Sequence, residues 1–299
     1  MIKFQFNIKN RKLFRLDPTK IILLSFIVVI FLGTLLLTLP IASNDHIEKA
    51  DFLTALFTAT SATCVTGLVV VDTATQWSLF GQIVILILIQ IGALGFVTFA
   101  TFFSILLGKK VSLKTRILAQ QSLNDFNFEG VLSLIKNVIL ATFSIELVGA
   151  IILTTRFVPK FGLKGLYISV FHSISSFCNA GFDILGNFQS LTNYNNDPVL
   201  LFTTSILVIL GGLGFVVWKN LWEFPKEKNF LLHTKVVLLF TIFLVAFGTI
   251  FFFFSEFNNP YTLGKLSIVG KINASFFQSV TTRSSGFNTI DIGNMKEIT

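Results

Sequence analysis

The sequence predicts an all-α integral membrane protein built from repeated helix–pore loop–helix units. Three observations lead there. Of 299 residues, 53% are hydrophobic and only 13% are charged. Uncharged runs long enough to cross a bilayer occur five times. Between them, a Ser/Thr-rich apolar segment broken by glycine occurs three times.

A run of about 18 or more apolar residues reads as a transmembrane helix. Residues 21–43 qualify, as do 73–108, a run longer than any bilayer needs. Residues 137–155 qualify with one intruder, Glu146, and residues 198–218 and 236–255 complete five spans. The first run is too long for the core of a cleaved signal, and no small-residue cleavage site follows it.

The net charge of +8 is unevenly placed. Lys3, Lys9, Arg11, Lys12, Arg15 and Lys20 precede the first span. Lys109, Lys110, Lys114 and Arg116 follow the second, and Lys219, Lys226, Lys228 and Lys235 lie between the fourth and fifth. If the spans alternate, these segments share one side, which the distribution of Lys and Arg makes cytoplasmic. The N-terminus is then inside, and a nucleic-acid partner is not implied. Asp45, Glu48, Asp51, Asp72, Asp183, Asp197, Glu256, Asp291 and Glu297 fall on the other side. An acidic rim there raises the local cation concentration.

Cys64 and Cys178 make no disulfide framework. His46, His172 and His233 lie far apart, and no acid, base and nucleophile cluster supports an enzyme. No cofactor is expected.

The three broken segments share one pattern. "ADFLTALFTATSATCVTGLVVVDT", "KGLYISVFHSISSFCNAGFDILGN" and "KINASFFQSVTTRSSGFNTIDIGN" each end an apolar stretch in a small residue, a glycine and an apolar residue. Gly67, Gly181 and Gly286 are separated by 114 and 105 residues. "IQIGALGF" and "VILGGLGF" repeat at a similar period, so Gly92 and Gly95 correspond to Gly211 and Gly214. Small residues three apart predict close helix packing. The first repeat covers residues 1–110 and the second 111–224. The third, 225–299, holds only its first helix and its pore loop. Asp51, Asn273 and Asp197 (before Pro198) are candidate N-caps.

A short helix that dips into the membrane and returns leaves irregular backbone at depth, tolerated only where it is buried in protein or faces water. Its C-terminus carries the negative end of the dipole. The carbonyls that follow can replace the hydration shell of a monovalent cation. Glycine lets such a carbonyl turn toward the axis. The candidate ion-binding residues are Val65, Thr66 and Gly67, then Asn179, Ala180 and Gly181, then Ser284, Ser285 and Gly286.

"TSATCVTGLVVVDTATQWSLFGQ", "FHSISSFCNAGFDIL" and "TTRSSGFNT", with the "IGALGF" and "LGGLGF" helices, resemble the Trk/Ktr/HKT superfamily of cation transporters. The short N-terminus and "LLHTKVVLLF" resemble most the Ktr branch, membrane subunits of potassium uptake systems. The resemblance implies a pore of four pseudo-fourfold repeats related to potassium channels, with potassium as substrate and sodium as an alternative coupling ion. It implies a plasma-membrane homodimer on a cytosolic, nucleotide-binding RCK ring. Glycine at every filter position resembles the potassium-selective members. By the internal period a fourth glycine falls beyond Thr299, so the fourth repeat and the gating loop of the third are absent from the sequence. The competing reading is a non-conducting or regulatory membrane subunit.

Cys64 and Cys178 stand three residues before their glycines, and Arg283 takes that place in the third loop. The cysteines read as small buried packers behind the filter. Arg283 reads as a brace for its loop, with Glu146 as partner, unless Glu146 serves a helix–helix contact. His172 reads as a packed, hydrogen-bonded residue. Asp72 and Asp291, each five residues past a glycine, face the outer mouth or cap the next helix. The phenylalanines at 251–254 read as lipid-facing or packing groups.

Overall fold

The computed structural model describes residues 18–44, 49–95, 98, 101 and 131–299. The basic residues before Pro18, those at 109–116, and Asp45, His46 and Glu48 lie outside them. Ten α-helices are described: α1 (Pro18–Leu37), α2 (Phe52–Thr63), α3 (Thr73–Gln76), α4 (Leu79–Leu94), α5 (Val131–Phe161), α6 (Lys164–Phe177), α7 (Pro198–Gly212), α8 (Phe215–Glu227), α9 (Leu232–Glu256) and α10 (Ile268–Thr281).

α1, α5 and α9 are long and apolar enough to cross a membrane, and α7 with α8 would add a bent fourth span. Several of their hydroxyls are absorbed locally, whereas Ser205 Oγ and Thr234 Oγ1 are buried without a partner among the described residues. Ser25, Thr34, Thr154 and Thr249 each donate to a carbonyl three or four residues back, so these four are satisfied within their own helix. Leu23, Ile27, Phe31, Phe243, Phe247 and Phe254 remain exposed, as a lipid-facing surface requires. In the 251–254 run Phe254 points outward, while Phe252 is buried.

Two expected spans are broken. The run from residue 73 opens with the short α3, and α4 starts only at Leu79, where the Ser78 side chain accepts from Gly81 N. α4 ends at Leu94 because Gly95 takes φ 78°. Its 16 residues rise about 24 Å, short of the roughly 30 Å hydrocarbon core. The run 198–218 is likewise not straight. α7 and α8 meet at 97°, with Gly214 at φ 85° in the break.

The short helices are placed by their neighbours. α1, α2 and α4 pack mutually, and so do α5, α6 and α7; α9 packs along α10. α4 also reaches α6, and α7 reaches α10, so each inner helix touches the next short helix along the chain. The large buried side chains Phe157, Phe171, Phe182, Phe277 and Phe287 cluster about α6 and α10.

Caps fix the starts. Asp51 caps α2 by accepting from Thr54 N at 3.0 Å. Asp197 caps α7 by accepting from Leu200 N at 3.2 Å, with Pro198 in the first turn. Asn273 does not cap α10. The helix begins at Ile268, Ser267 accepts from Gly270 N, and Asn273 is buried within it. The serine lies six residues earlier, ahead of an apolar Ile-Val start.

Candidate ion-conducting site

α2 and α6 end in the same way. Cys64 N donates to Thr60 O and Cys178 N to Ile174 O. The next residues, Val65 and Asn179, turn left-handed at φ 58° and 60°. Thr66 N then reaches back to Ser61 O at 2.9 Å, and Ala180 N to Ser175 O at 2.8 Å. This six-residue closure satisfies carbonyls that a helix end leaves open. A β-branched Val65 in that region carries strain of order 1–3 kcal/mol, of the kind stored at functional sites. Gly67 and Gly181 both take φ 74°. The third loop differs. Ser285 N closes on Thr281 O at 2.9 Å, and neither Ser284 nor Gly286 has positive φ.

The three glycines meet. A Cβ on Gly67 would lie 2.3 Å from Ala180 O and 2.9 Å from Gly286 Cα. A Cβ on Gly181 would lie 2.3 Å from Gly286 Cα. No side chain fits at these positions. On one side of the contact lies a cavity of about 80 Å³ lined by Gly67, Gly181 and Gly286 together with Asp72 and Asp183. On the other lies a cavity of about 300 Å³ lined by Val65, Asn179 and Ser284, with Thr142, Gly211 and Phe215. Each loop gives its glycine to the first cavity and the residue two before it to the second. The strands therefore run in one sense between two chambers.

The supports are uneven. Cys178 is buried and Cys64 is exposed, which corrects the reading of both as buried packers. Cys178 Sγ sits 3.5 Å from Gln90 Oε1 and 3.7 Å from Glu146 Oε1. Gln90 Nε2 donates to both Glu146 oxygens, at 3.1 and 3.4 Å. Glu146 thus joins α4, α5 and the second loop, and it is not the partner of Arg283. Arg283 makes no side-chain hydrogen bond or ion pair among the described residues, so no brace of that kind is seen. With its amide turned to satisfy its neighbours, Asn179 donates to Val208 O at 2.9 Å and Ser284 Oγ at 3.2 Å, and accepts from Gly212 N at 3.1 Å. It ties the second loop to the third and to the end of α7.

The matching family model is TrkH, described as a cation transport protein, and it covers residues 3–299. The chain belongs to the TrkH cation transport family. Ktr system potassium uptake protein B of Bacillus subtilis is 46% identical over 284 residues, 95% of this chain and 63% of that protein. Potassium/sodium uptake protein NtpJ of Enterococcus hirae is 41% identical, over 95% of this chain and 62% of its own. Ktr system potassium uptake protein B of Vibrio alginolyticus is 40% identical, over 91% and 60%. This TrkH-family chain spans less than two thirds of the length of these relatives. It is a multi-pass membrane protein.

Within the TrkH chain, Asp72 caps α3 and also lines the glycine-side cavity. Its Oδ1 accepts from Ala74 N and Thr75 N, and its Oδ2 accepts from Phe188 N. Asp291 caps the turn at Ile292–Asn294. His172 is fully buried, shares a 2.8 Å hydrogen bond with Ile168 O, and stacks on Phe287 of the third loop. Gln90, Ser61 and Ser175 escaped the reading of the sequence. Ser61 and Ser175 could have been found there, because each stands six residues before a loop glycine.

Proposed function

We propose that the chain builds the potassium-conducting path of an uptake system. Val65–Gly67, Asn179–Gly181 and Ser284–Gly286 supply backbone carbonyls to the ion, with Cys178 and Asn179 as supports. The single observation that carries this reading is the shared sense of three loops between two cavities. α2, α6 and α10 end at the larger cavity, where their negative dipole ends favour a cation. The acidic pair Asp72 and Asp183 lines the smaller one and attracts cations toward the glycines. Relatives named for potassium uptake, and one for potassium and sodium, support potassium as substrate; sodium stands in this reading as an alternative coupling ion. The helix–pore loop–helix repeats at 1–110 and 111–224, with the first helix and pore loop of a third at 225–299, are the units of the pore, and a further strand completes the fourfold ring. The chain works as a plasma-membrane homodimer with its N-terminus inside, on a cytosolic RCK ring that binds nucleotide.

A second reading is a non-conducting or regulatory membrane subunit. The direct contact of Gly67, Gly181 and Gly286 favours it, since touching strands leave no room for an ion. Expression of the gene in cells that lack potassium uptake separates the two. Rescue of growth at low external potassium is expected. Failure with good membrane expression sinks the uptake reading.

A further inference from the structure

In two of the three loops a helix hydroxyl holds the same carbonyl. Ser61 Oγ donates to Leu68 O at 2.7 Å, and Ser175 Oγ donates to Phe182 O at 2.7 Å. Both serines are buried, each stands six residues before its glycine, and each accepting carbonyl belongs to the residue just after it. The third loop has buried Val280 at that register. Among the described residues nothing donates to the Phe287 carbonyl.

Helix serines commonly bond a carbonyl four residues back, and Ser169 and Ser176 of α6 do so, at 2.6 Å each. Ser61 and Ser175 instead reach forward seven residues across the loop. Their targets are fixed peptides. A carbonyl that accepts from the pore helix points back toward that helix and cannot also point to the axis. The ion-facing run in these loops then ends at the glycine.

We propose that Ser61 and Ser175 are positioning residues for ion selectivity: they withdraw the Leu68 and Phe182 carbonyls and so set the length of the carbonyl run offered to the ion. This rests on the potassium-path reading above. The left-handed turns at Val65 and Asn179 occur in the same two loops, so the held carbonyl and the turn upstream form one geometry.

The test is potassium and sodium flux in membrane vesicles that carry the expressed gene product. Ser61→Ala and Ser175→Ala are each expected to lower the potassium-to-sodium flux ratio by about fivefold, the factor equivalent to one neutral hydrogen bond. Ser175→Thr, which keeps the hydroxyl, restores the ratio of its loop. Val280→Ala, which removes packing but no donor, lowers thermal stability and leaves the ratio unchanged. If the alanine variants do not fold, Ser175→Cys keeps the shape with a weaker donor and is expected to lower the ratio. A selective wild type whose ratio the serine variants leave unmoved overturns this inference alone. A wild type that passes sodium as readily as potassium overturns the filter reading and this inference with it.

Discussion

Gly92 and Gly95 look alike in the sequence, as do Gly211 and Gly214, yet the members of each pair serve different ends. A Cβ on Gly92 would lie 2.1 Å from Thr63 O, and one on Gly211 would lie 1.7 Å from Phe177 O. These glycines let α4 and α7 abut the last residue of a short helix. Among the described residues a Cβ on Gly214 would meet nothing within 4 Å and one on Gly95 only Thr98 Oγ1 at 3.9 Å, and both glycines take positive φ, which breaks the helix. Gly211→Ala is therefore expected to cost about 3 kcal/mol or more by overpacking. Gly214→Ala is expected to cost about 1–3 kcal/mol by backbone strain alone, since φ 85° with ψ 151° is a region that glycine adopts and other residues do not. Thermal midpoints in detergent give the order, and a Gly214 variant worse than the Gly211 one contradicts it. Asp183 adds a pH dependence. Burial first, then the charge of Asp72, push its carboxyl up to about 6 from the ordinary 3.8, against the pull of the Leu185 and Gly186 backbone. The folded state thus holds this proton to higher pH than the unfolded chain. Its stability contribution is fully present at low pH and is lost as pH rises through about 6. In transport the sign is opposite. On the proposed potassium path, a neutral Asp183 weakens the field at the glycine-side cavity, so the apparent KM for potassium is expected to rise as pH on that side falls through about 6. Flux measured across this range checks it, and Asp183→Asn should abolish the dependence. A variant that keeps it contradicts the assignment.

At the scale of elements, Asp197 joins two tasks. It caps α7, and both its oxygens meet Arg156 Nε of α5, at 2.9 and 3.0 Å. Asp197→Asn keeps a cap and loses the ion pair. Because Arg156 is 37% exposed, that loss is expected to stay within about 1 kcal/mol. Asp197→Ala loses the cap too, for about 1 kcal/mol more. Equal unfolding midpoints for the two variants contradict this division. The elements were largely legible in the sequence. α1, α5 and α9 follow from uncharged runs, and Asp51 and Asp197 announce α2 and α7. What was not legible has physical causes. The apolar run from residue 73 hides the break at Trp77–Ser78, because hydropathy does not register a buried Trp77 that ends α3. The 97° bend at Gly214 hides in "LGGLGF", where one glycine packs and the next turns. The start of α10 was missed because Asn273 looked like a cap, whereas it is interior and buried. The position of the loop residues could be read from their spacing, and the structure brings all three glycines together. Their supports could not be read so. Glu146 meets Gln90 and Cys178 across long sequence separations that no local pattern encodes.

At the scale of the molecule, the helix contacts follow the order of the units. α4 leans on α6 and α7 leans on α10, so each unit hands its inner helix to the next short helix. Such an order places the loops side by side about one axis, with a cavity at either end. On the potassium-path reading proposed above, carbonyls placed in this way select a cation by their number and field. Gly181 stands where a Cβ would strike Gly286, so one added side chain disturbs two strands at once. The decisive measurement is the flux of potassium, rubidium and sodium in vesicles containing the expressed protein, with and without Gly181→Ser. Potassium and rubidium flux well above sodium in the wild type, with that preference lost in Gly181→Ser, is the expected result. Equal sodium and potassium flux in the wild type, or a Gly181→Ser protein with unchanged preference, would contradict a filter built from these three loops.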